Sequence, residues 1–149
     1  MRREPFTVIG VILFLLTAPM QGQTALAIRA AATRPVFGWQ QMASPDRSQI
    51  LWVATTNDLT TEDIERVAPS TSPEGYPAVT IVFTDDGAKR IAELSRTRLG
   101  QPIAFLLDGK LIWAPVVRGE IAKEAVLTGG PQGLTPDEIE RLLAILKQR

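Results

Sequence analysis

The amino-acid sequence predicts an α+β fold, a two-layer sandwich in which a small mixed sheet with a central hairpin packs against about three helices. From residue 50 onward the strand and helix signals follow the order β-α-β-α-β-β-β-α. Strands that follow one another directly favour this class over a doubly wound fold, in which strands and helices alternate. A chain of 149 residues, 45% of them apolar and 21% charged, has room for one domain with a buried core.

The first predicted strand is Ile50–Thr55, a β-branched and apolar run that ends at a turn. Residues Leu59–Ile64 then predict the start of a helix, because Thr60 can cap it and acidic residues fill its first turn. Ser70–Pro77 is predicted to be a loop. Alternating apolar residues in Ala78–Phe83 predict the second strand.

The longest predicted helix begins at Thr84 and ends at Gly100, where a proline follows closely. A hairpin from Ile103 to Val117 is predicted around Asp108-Gly109, since an Asp-Gly pair between apolar runs is a strong hairpin signal. Another strand, Glu124–Thr128, precedes the last helix. That helix has a threonine cap, a proline in its first turn and a predicted buried stripe of Ile139, Leu142, Leu143 and Leu146.

Residues 1–27 resemble a secretory signal peptide, with two arginines at the start and a charge-free run at Val8–Leu16. Ala25 and Ala27 are small residues at the two positions that a signal peptidase reads. An uncleaved membrane anchor is the alternative, because 22 uncharged residues from Phe6 to Ala27 are long enough to span a bilayer. Both interpretations predict an exported chain, either periplasmic or membrane-anchored and facing the periplasm.

Residues 28–49 are predicted to be a linker, since turn and coil signals surround a single short apolar stretch. That stretch, Val36–Met42, can form an edge strand. Residues 50–149 are the predicted folded domain.

Composition excludes several classes of function. The chain contains no cysteine and no histidine, which removes thiolate chemistry, the commonest general base and the commonest transition-metal ligand. Sixteen basic residues balance sixteen acidic ones, so the sequence predicts no nucleic-acid partner. No motif points to a cofactor, and we therefore expect none.

Three motifs have a structural explanation that is simpler than a catalytic one. Leu59–Arg66 and Leu134–Arg141 are near copies, either two equivalent partner-binding sites or two helix starts with the same capping chemistry. Asp85 and Asp86 point about 100° apart on a helix, so they do not converge on a metal or a substrate. Gly129-Gly130 resembles part of a phosphate-binding loop but lacks the lysine and the serine or threonine that such a loop needs. We predict no catalytic, cofactor-binding or metal-binding residue.

Trp113 and Pro115 are the candidate polypeptide contacts. They follow each other at a spacing of two in the second hairpin strand and can therefore share one face of it. If that face is the outer one, Trp113 is an exposed aromatic residue able to contact an extended polypeptide. If it is the inner one, Trp113 fills the core between sheet and helices, and alternation alone does not decide between the two.

A series of motifs follows the chain from about residue 50 to 146. In order, they are Leu51–Val53, Leu59–Ile64, Gly75–Val79, Phe83–Arg90, Ala92–Leu94, Gly100–Ala104, Leu107–Ile112, Ala114–Arg118 and Thr128-Gly129. In these motifs and their order, the chain resembles the periplasmic head subdomain of the SecDF family. The chain departs from the family at Trp113, where a small residue is usual, and at Pro131–Gly133, which lengthens the link into the last helix.

The resemblance implies a non-catalytic binding module that takes polypeptide or an envelope protein as its partner, with association to the Sec translocase and an accessory role in protein export. Family members carry this head in a large multi-span protein whose membrane-embedded charges couple proton flow to movement. Those spans and charges are not found in this sequence. Two alternatives remain open, a small exported carboxylate-dependent hydrolase and a structural module of an envelope complex.

Overall fold

The computed structural model describes residues 25–147, and the fold is α+β as the sequence predicts. Two α-helices, rather than about three, and nine strands make up the described part of the chain. The strands are β1 (Leu26–Ala32), β2 (Gln40–Ala43), β3 (Ile50–Val53), β4 (Leu59–Thr60), β5 (Ile64–Thr71), β6 (Pro77–Phe83), β7 (Ile103–Leu107), β8 (Lys110–Trp113) and β9 (Glu124–Leu127). The helices are α1 (Asp85–Thr97) and α2 (Pro136–Ala144), and a single 3-10 turn covers Thr61–Asp63.

The strands form two sheets rather than one mixed sheet, and every strand pairing is antiparallel. The larger sheet has the order β2-β3-β1-β7-β8, with β4 also paired to β1. The smaller sheet has the order β5-β6-β9. The predicted hairpin is β7–β8, and its second strand lies at the edge of the larger sheet rather than at its centre.

The principal core brings together side chains from both sheets and both helices, including Phe83, Ile91, Phe105 and Leu142. A second cluster on the larger sheet contains Leu51 with five other buried residues of β1, β3, β7 and β8. All five side chains of β7 are buried. Because β7 lies between β1 and β8 and contributes to both clusters, it is apolar on both faces, which explains why its sequence does not alternate.

Residues 28–32, which the sequence places in a linker, form most of β1 in the middle of the larger sheet. Ile28 is 1% exposed, and β1 pairs with β3, β4 and β7. Its alanines and Arg29 carry little strand propensity, so local sequence alone does not reveal the strand. The predicted edge strand at Val36–Met42 overlaps β2, which lies at the edge of the sheet. Residues 1–24, most of the predicted signal peptide or anchor, lie outside the described residues.

The helix predicted from Leu59 is wrong, because the capping chemistry there leads into a strand. Thr60 and Asp63 form a complete capping box, but the turn ends at Ile64 and the chain continues as β5. Pro69 lacks the N–H that a helix interior needs, whereas an edge strand tolerates it. Seven register pairs with β6 then hold β5, which also replaces the first part of the loop predicted at Ser70–Pro77.

The other two predicted helices are confirmed, together with their caps. The Thr84 hydroxyl accepts a hydrogen bond from Gly87 N–H at the start of α1. At α2, Thr135 and Glu138 form a capping box and Pro136 occupies the first turn. The buried stripe of the last helix differs from the prediction, since Leu142 and Ile145 are buried and Leu143 is only partly so.

Candidate functional site

The β7–β8 hairpin determines where Trp113 lies. Asp108 and Gly109 both have positive φ, 51° and 81°, as a two-residue hairpin turn of this kind requires. The turn aligns Trp113 with Phe105 across the ladder, and a bulge in β8 lies beside this pair. The two ring centroids are 4.9 Å apart with planes tilted by 45°, a favourable aromatic geometry.

Trp113 is therefore partly a core residue and partly a surface residue, the two alternatives that the sequence leaves open. One part of its side chain packs against the principal core, while its exposure is intermediate. The remainder borders a surface groove of about 390 Å³, which we call the hairpin groove. The groove is lined by Ile103, Phe105, Trp113, Pro115–Ala122, Glu124 and Ala125.

Both residues singled out from the sequence, Trp113 and Pro115, line the hairpin groove. Ile103 and Phe105 belong to β7, Trp113 ends β8, and Glu124 and Ala125 begin β9. The rest of the lining, including Pro115, lies in the connection between β8 and β9, because β8 ends at Trp113 and not at Val117 as predicted. Its later part is the segment 118–122. That segment contains a glycine and two charged residues, and no motif in the sequence marks it as part of a site. Its role depends on the position of β9 in the other sheet, which local patterns do not reveal.

The charges in the groove lining are few and of both signs. Arg118 and Glu124 are exposed and take part in no ion pair with the described residues. Glu120 lies 3.8 Å from the guanidinium of Arg96 on α1. The lining thus carries no strong field of one sign, and its chemistry favours an uncharged, apolar occupant.

Another recess, of about 300 Å³, also borders Trp113 and is lined by the Ser44–Asp46 turn and by Gly129–Pro131. Trp113 is common to both recesses. Gly129 and Gly130 therefore form part of a recess beside Trp113, and they contribute only backbone atoms to it. Gly129 has a φ of 70°, and a Cβ there would lie 2.6 Å from the Leu134 side chain.

The other two tryptophans lie outside the groove lining. The ring of Trp39 lies under the guanidinium of Arg98, whose carbon is 5.6 Å from the ring centroid. Arg98 also donates to the carbonyl of Ala31, and partial burial lowers its pKa. This contact fixes the β1–β2 loop against the end of α1. Trp52 is a half-buried residue of β3.

Two acidic residues at the predicted turns and caps, Asp85 and Asp108, have structural partners. Asp85 accepts a hydrogen bond from Lys123 at 2.8 Å, which lowers the pKa of Asp85 and raises that of Lys123. Asp108 binds Arg141 of α2 at 2.8 Å and the backbone N–H of Ala25 at 2.8 Å. Within residues 25–147 no group of three or more acidic side chains is arranged to hold a metal ion.

Comparison with known proteins places this architecture in a family. The molecule is a small antiparallel α+β domain with an apolar surface groove beside an edge hairpin. The family model of the SecDF P1 head subdomain matches residues 39–148. The chain belongs to this family, as the sequence motifs predict.

Two curated relatives show how much of a larger protein the chain represents. The protein translocase subunit SecD of Acidaminococcus fermentans is 37% identical over 86 residues, which cover 57% of this chain and 21% of that protein. The protein-export membrane protein SecD of Methanocaldococcus jannaschii is 30% identical over 111 residues, which cover 66% of this chain and 28% of that protein. The chain thus spans less than a third of either relative.

Solved structures agree on the fold. A SecDF structure, described as a membrane component that enhances protein export, superposes with a TM-score of 0.62 at 22% identity. The match covers 84% of this chain and 62% of that one. A second, SecDF in a super-membrane-facing form, also gives 0.62 and covers 83% of this chain. In the described part of this chain, neither helix has the length and apolar character needed to cross a bilayer.

Proposed function

We propose that this protein is a non-catalytic binding module that holds an extended polypeptide segment, from an unfolded chain or an envelope protein, in the hairpin groove. The observation that carries the proposal is Trp113, which packs against the ring of Phe105 at a tilt of 45° and is only partly covered, beside a groove lined largely by apolar side chains. A large aromatic ring that is held rigidly and half exposed contributes much binding energy at little cost in entropy.

The proposed setting is the periplasmic side of the envelope, with the N-terminal segment either removed or retained as an anchor. Membership in the SecDF P1 head family supports a role accessory to protein export and an association with the Sec translocase. The relatives that carry this head are named as translocase subunits. The chain spans only a small part of each, so the proposal covers binding and not the work of a whole translocase subunit.

Trp113→Ala in the full chain tests the role of the groove. We expect it to weaken binding of a fluorescently labelled, permanently unfolded polypeptide by about 1–2 kcal/mol, or roughly 5- to 30-fold. Trp52→Ala is the matched control, since Trp52 is also a half-buried strand tryptophan but does not line the groove. Thermal melts of both variants report on folding.

A second variant keeps the test decisive if Trp113→Ala lowers the melting temperature. Ala122 is exposed and lines the groove, so Ala122→Asp places a charge there without disturbing the core. Ala43→Asp, at an exposed site on β2, introduces the same charge elsewhere. Loss of binding with Ala122→Asp and not with Ala43→Asp supports the proposal. Equal affinity of all four variants and the unmodified protein contradicts it.

A further inference from the structure

The free edge of β9 is the feature from which this inference begins. β9 is the last strand of the smaller sheet, and among residues 25–147 it pairs only with β6. The register pairs Val82 with Glu124 and Thr80 with Val126, without a bulge. Phe83 N–H donates to the carbonyl of Lys123 at 2.8 Å, one position before the first of these pairs.

That hydrogen bond fixes the direction of every backbone group in β9. In an antiparallel ladder, pairs that exchange hydrogen bonds alternate with pairs whose N–H and C=O groups point away from the partner strand. Phe83 and Lys123 form a bonded pair, so Val82–Glu124 and Thr80–Val126 are non-bonded pairs. The N–H and C=O groups of Glu124 and Val126 therefore point away from β6, at the free edge.

This free edge and Trp113 belong to the same region of the surface. Glu124 and Ala125 line the hairpin groove together with Trp113 and Phe105. Val126 is 39% exposed, and Glu124 is exposed as well. An occupant of the groove can thus contact the ring of Trp113 and also reach the outward backbone groups at the start of β9, which pair with no other strand in the described part of the chain.

We infer that the polypeptide held in the hairpin groove binds as an added β-strand, pairing through its main chain with Glu124 and Val126 while an apolar side chain contacts Trp113. This inference rests on the proposed function and specifies its mode of recognition. Strand addition of this kind takes affinity from the backbone and specificity from side chains that alternate into pockets. The short edge and the mostly apolar lining fit a brief, uncharged extended segment of an unfolded partner.

The lining carries only three charges, one basic and two acidic, which favours this occupant over a strongly acidic or basic one. Glu120 lies 3.8 Å from Arg96, so Arg118 and Glu124 remain as one charge of each sign without an ion pair among the described residues. A second copy of the chain is a different occupant, since two β9 edges can also pair with each other. The test below separates these cases.

Val126→Pro in the full chain removes the outward N–H without touching the ladder to β6, and proline is tolerated at strand edges with the N–H facing outward. Val126→Ala is the matched control, because it loses the side chain and keeps the N–H. The probe is a fluorescent ten-residue peptide with blocked ends, alternating leucine and threonine. We expect Val126→Pro to weaken binding of this peptide about tenfold, since one hydrogen bond to the peptide is lost. We expect Val126→Ala to weaken it less than about threefold, because the N–H is retained.

The peptide supplies a second, independent readout that leaves the protein unchanged. N-methylation of every second residue blocks one edge of the peptide backbone, and shifting the pattern by one residue blocks the other edge. We expect one methylation pattern to abolish binding and the other to preserve it. This comparison decides the question even if Val126→Pro folds poorly.

Each contrary result has a definite meaning. If both methylated peptides and Val126→Pro bind like the unmodified pair while Trp113→Ala weakens binding, strand addition is refuted and the proposed function stands. If the unmodified protein binds neither this peptide nor the unfolded polypeptide, both the inference and the proposed function fail. If sedimentation shows a dimer that Val126→Pro dissociates, the occupant is a second copy and the inference is overturned.

Discussion

Leu26 of β1 pairs with Leu107 of β7, and both side chains are buried, at 1% and 3% exposure. Two further hydrogen bonds hold the start of β1 in place. Leu26 N–H donates to the Thr61 hydroxyl at 3.0 Å, and Asp108 N–H donates to the carbonyl of Ala25 at 2.9 Å. The residues just before Ile28 are therefore an integral part of the folded domain.

Leu26→Ala is expected to destabilise the protein by about 2–5 kcal/mol, since a fully buried leucine loses its contacts and leaves a cavity. The matched control is Leu99→Ala, because Leu99 is 58% exposed and its truncation leaves no cavity. Urea unfolding followed by circular dichroism gives both values. Equal midpoints for the two variants would show that β1 does not contribute to the core.

The predicted processing site after Ala27 lies within β1, so cleavage there would remove Leu26 from the core. If the N-terminal segment is processed, we expect the new terminus at or before Ala25. Intact-mass spectrometry of the protein isolated from its host measures this directly. A mature terminus at Ile28 would contradict the expectation and require β1 to form without its first two residues.

The last helix offers a contrast between adjacent leucines. Leu142 is fully buried and Leu143 only partly, so Leu142→Ala should cost about 2–5 kcal/mol and Leu143→Ala about 1 kcal/mol or less. Because both substitutions have the same effect on helix propensity, the difference isolates burial. Chemical denaturation of the two variants checks it, and a larger cost at Leu143 would reverse the assigned orientation of α2.

The elements predicted correctly are those that are determined by interactions between residues close together in the sequence. The Asp108-Gly109 turn, the Thr84 cap and the Thr135 capping box satisfy backbone groups within a few residues, and all three are present in the structure. Local patterns failed at Leu59–Ile64, where the same capping residues close only a 3-10 turn. Two nearly identical motifs thus begin different elements, because pairing with β6 takes over the chain after the first.

Predicting the candidate site was limited in the same way. Trp113 and Pro115 were predicted from their spacing in one strand, and both line the groove, although β8 ends at Trp113 and Pro115 follows it. The contribution of Glu124 and Ala125 was not predictable, because it depends on β9 joining β6 in a separate sheet. The order of strands is a property of tertiary packing, and β1 was missed for the same reason.

Gly87 lies in the first turn of α1, and within a helix alanine is usually more stabilising than glycine by about 1 kcal/mol. Here a Cβ on Gly87 would lie 2.3 Å from the carbonyl oxygen of Asp63, so the helix and the 3-10 turn would have to move apart. Gly87→Ala is therefore expected to destabilise, by about 1–3 kcal/mol as overpacking does. Gly119→Ala is the control, since a Cβ there meets nothing within 4 Å. A Gly87→Ala melt at or above that of the unmodified protein would disprove the close approach.

The turn between β2 and β3 predicts a specific acid sensitivity. The Asp46 carboxylate accepts hydrogen bonds from the Ser44 hydroxyl at 2.6 Å and from the Ser48 hydroxyl and N–H at 2.8 and 3.0 Å. Led by the bond from Ser44, these interactions lower the pKa of Asp46 from 3.8 to about 2. The folded state therefore binds its proton less readily than the unfolded state.

The sign of the effect follows from this difference in pKa. The stabilisation from Asp46 is complete above the unfolded pKa, and it is lost as pH falls from about 4 to about 2. Asp46→Asn removes this pH-dependent contribution, so the free energy of unfolding should fall less steeply over that interval than in the unmodified protein. Ser44→Ala, which removes the strongest donor, should flatten the curve in part. Urea titrations at half-unit steps of pH measure the slopes, and parallel curves for Asp46→Asn and the unmodified protein would contradict the assigned hydrogen bonds.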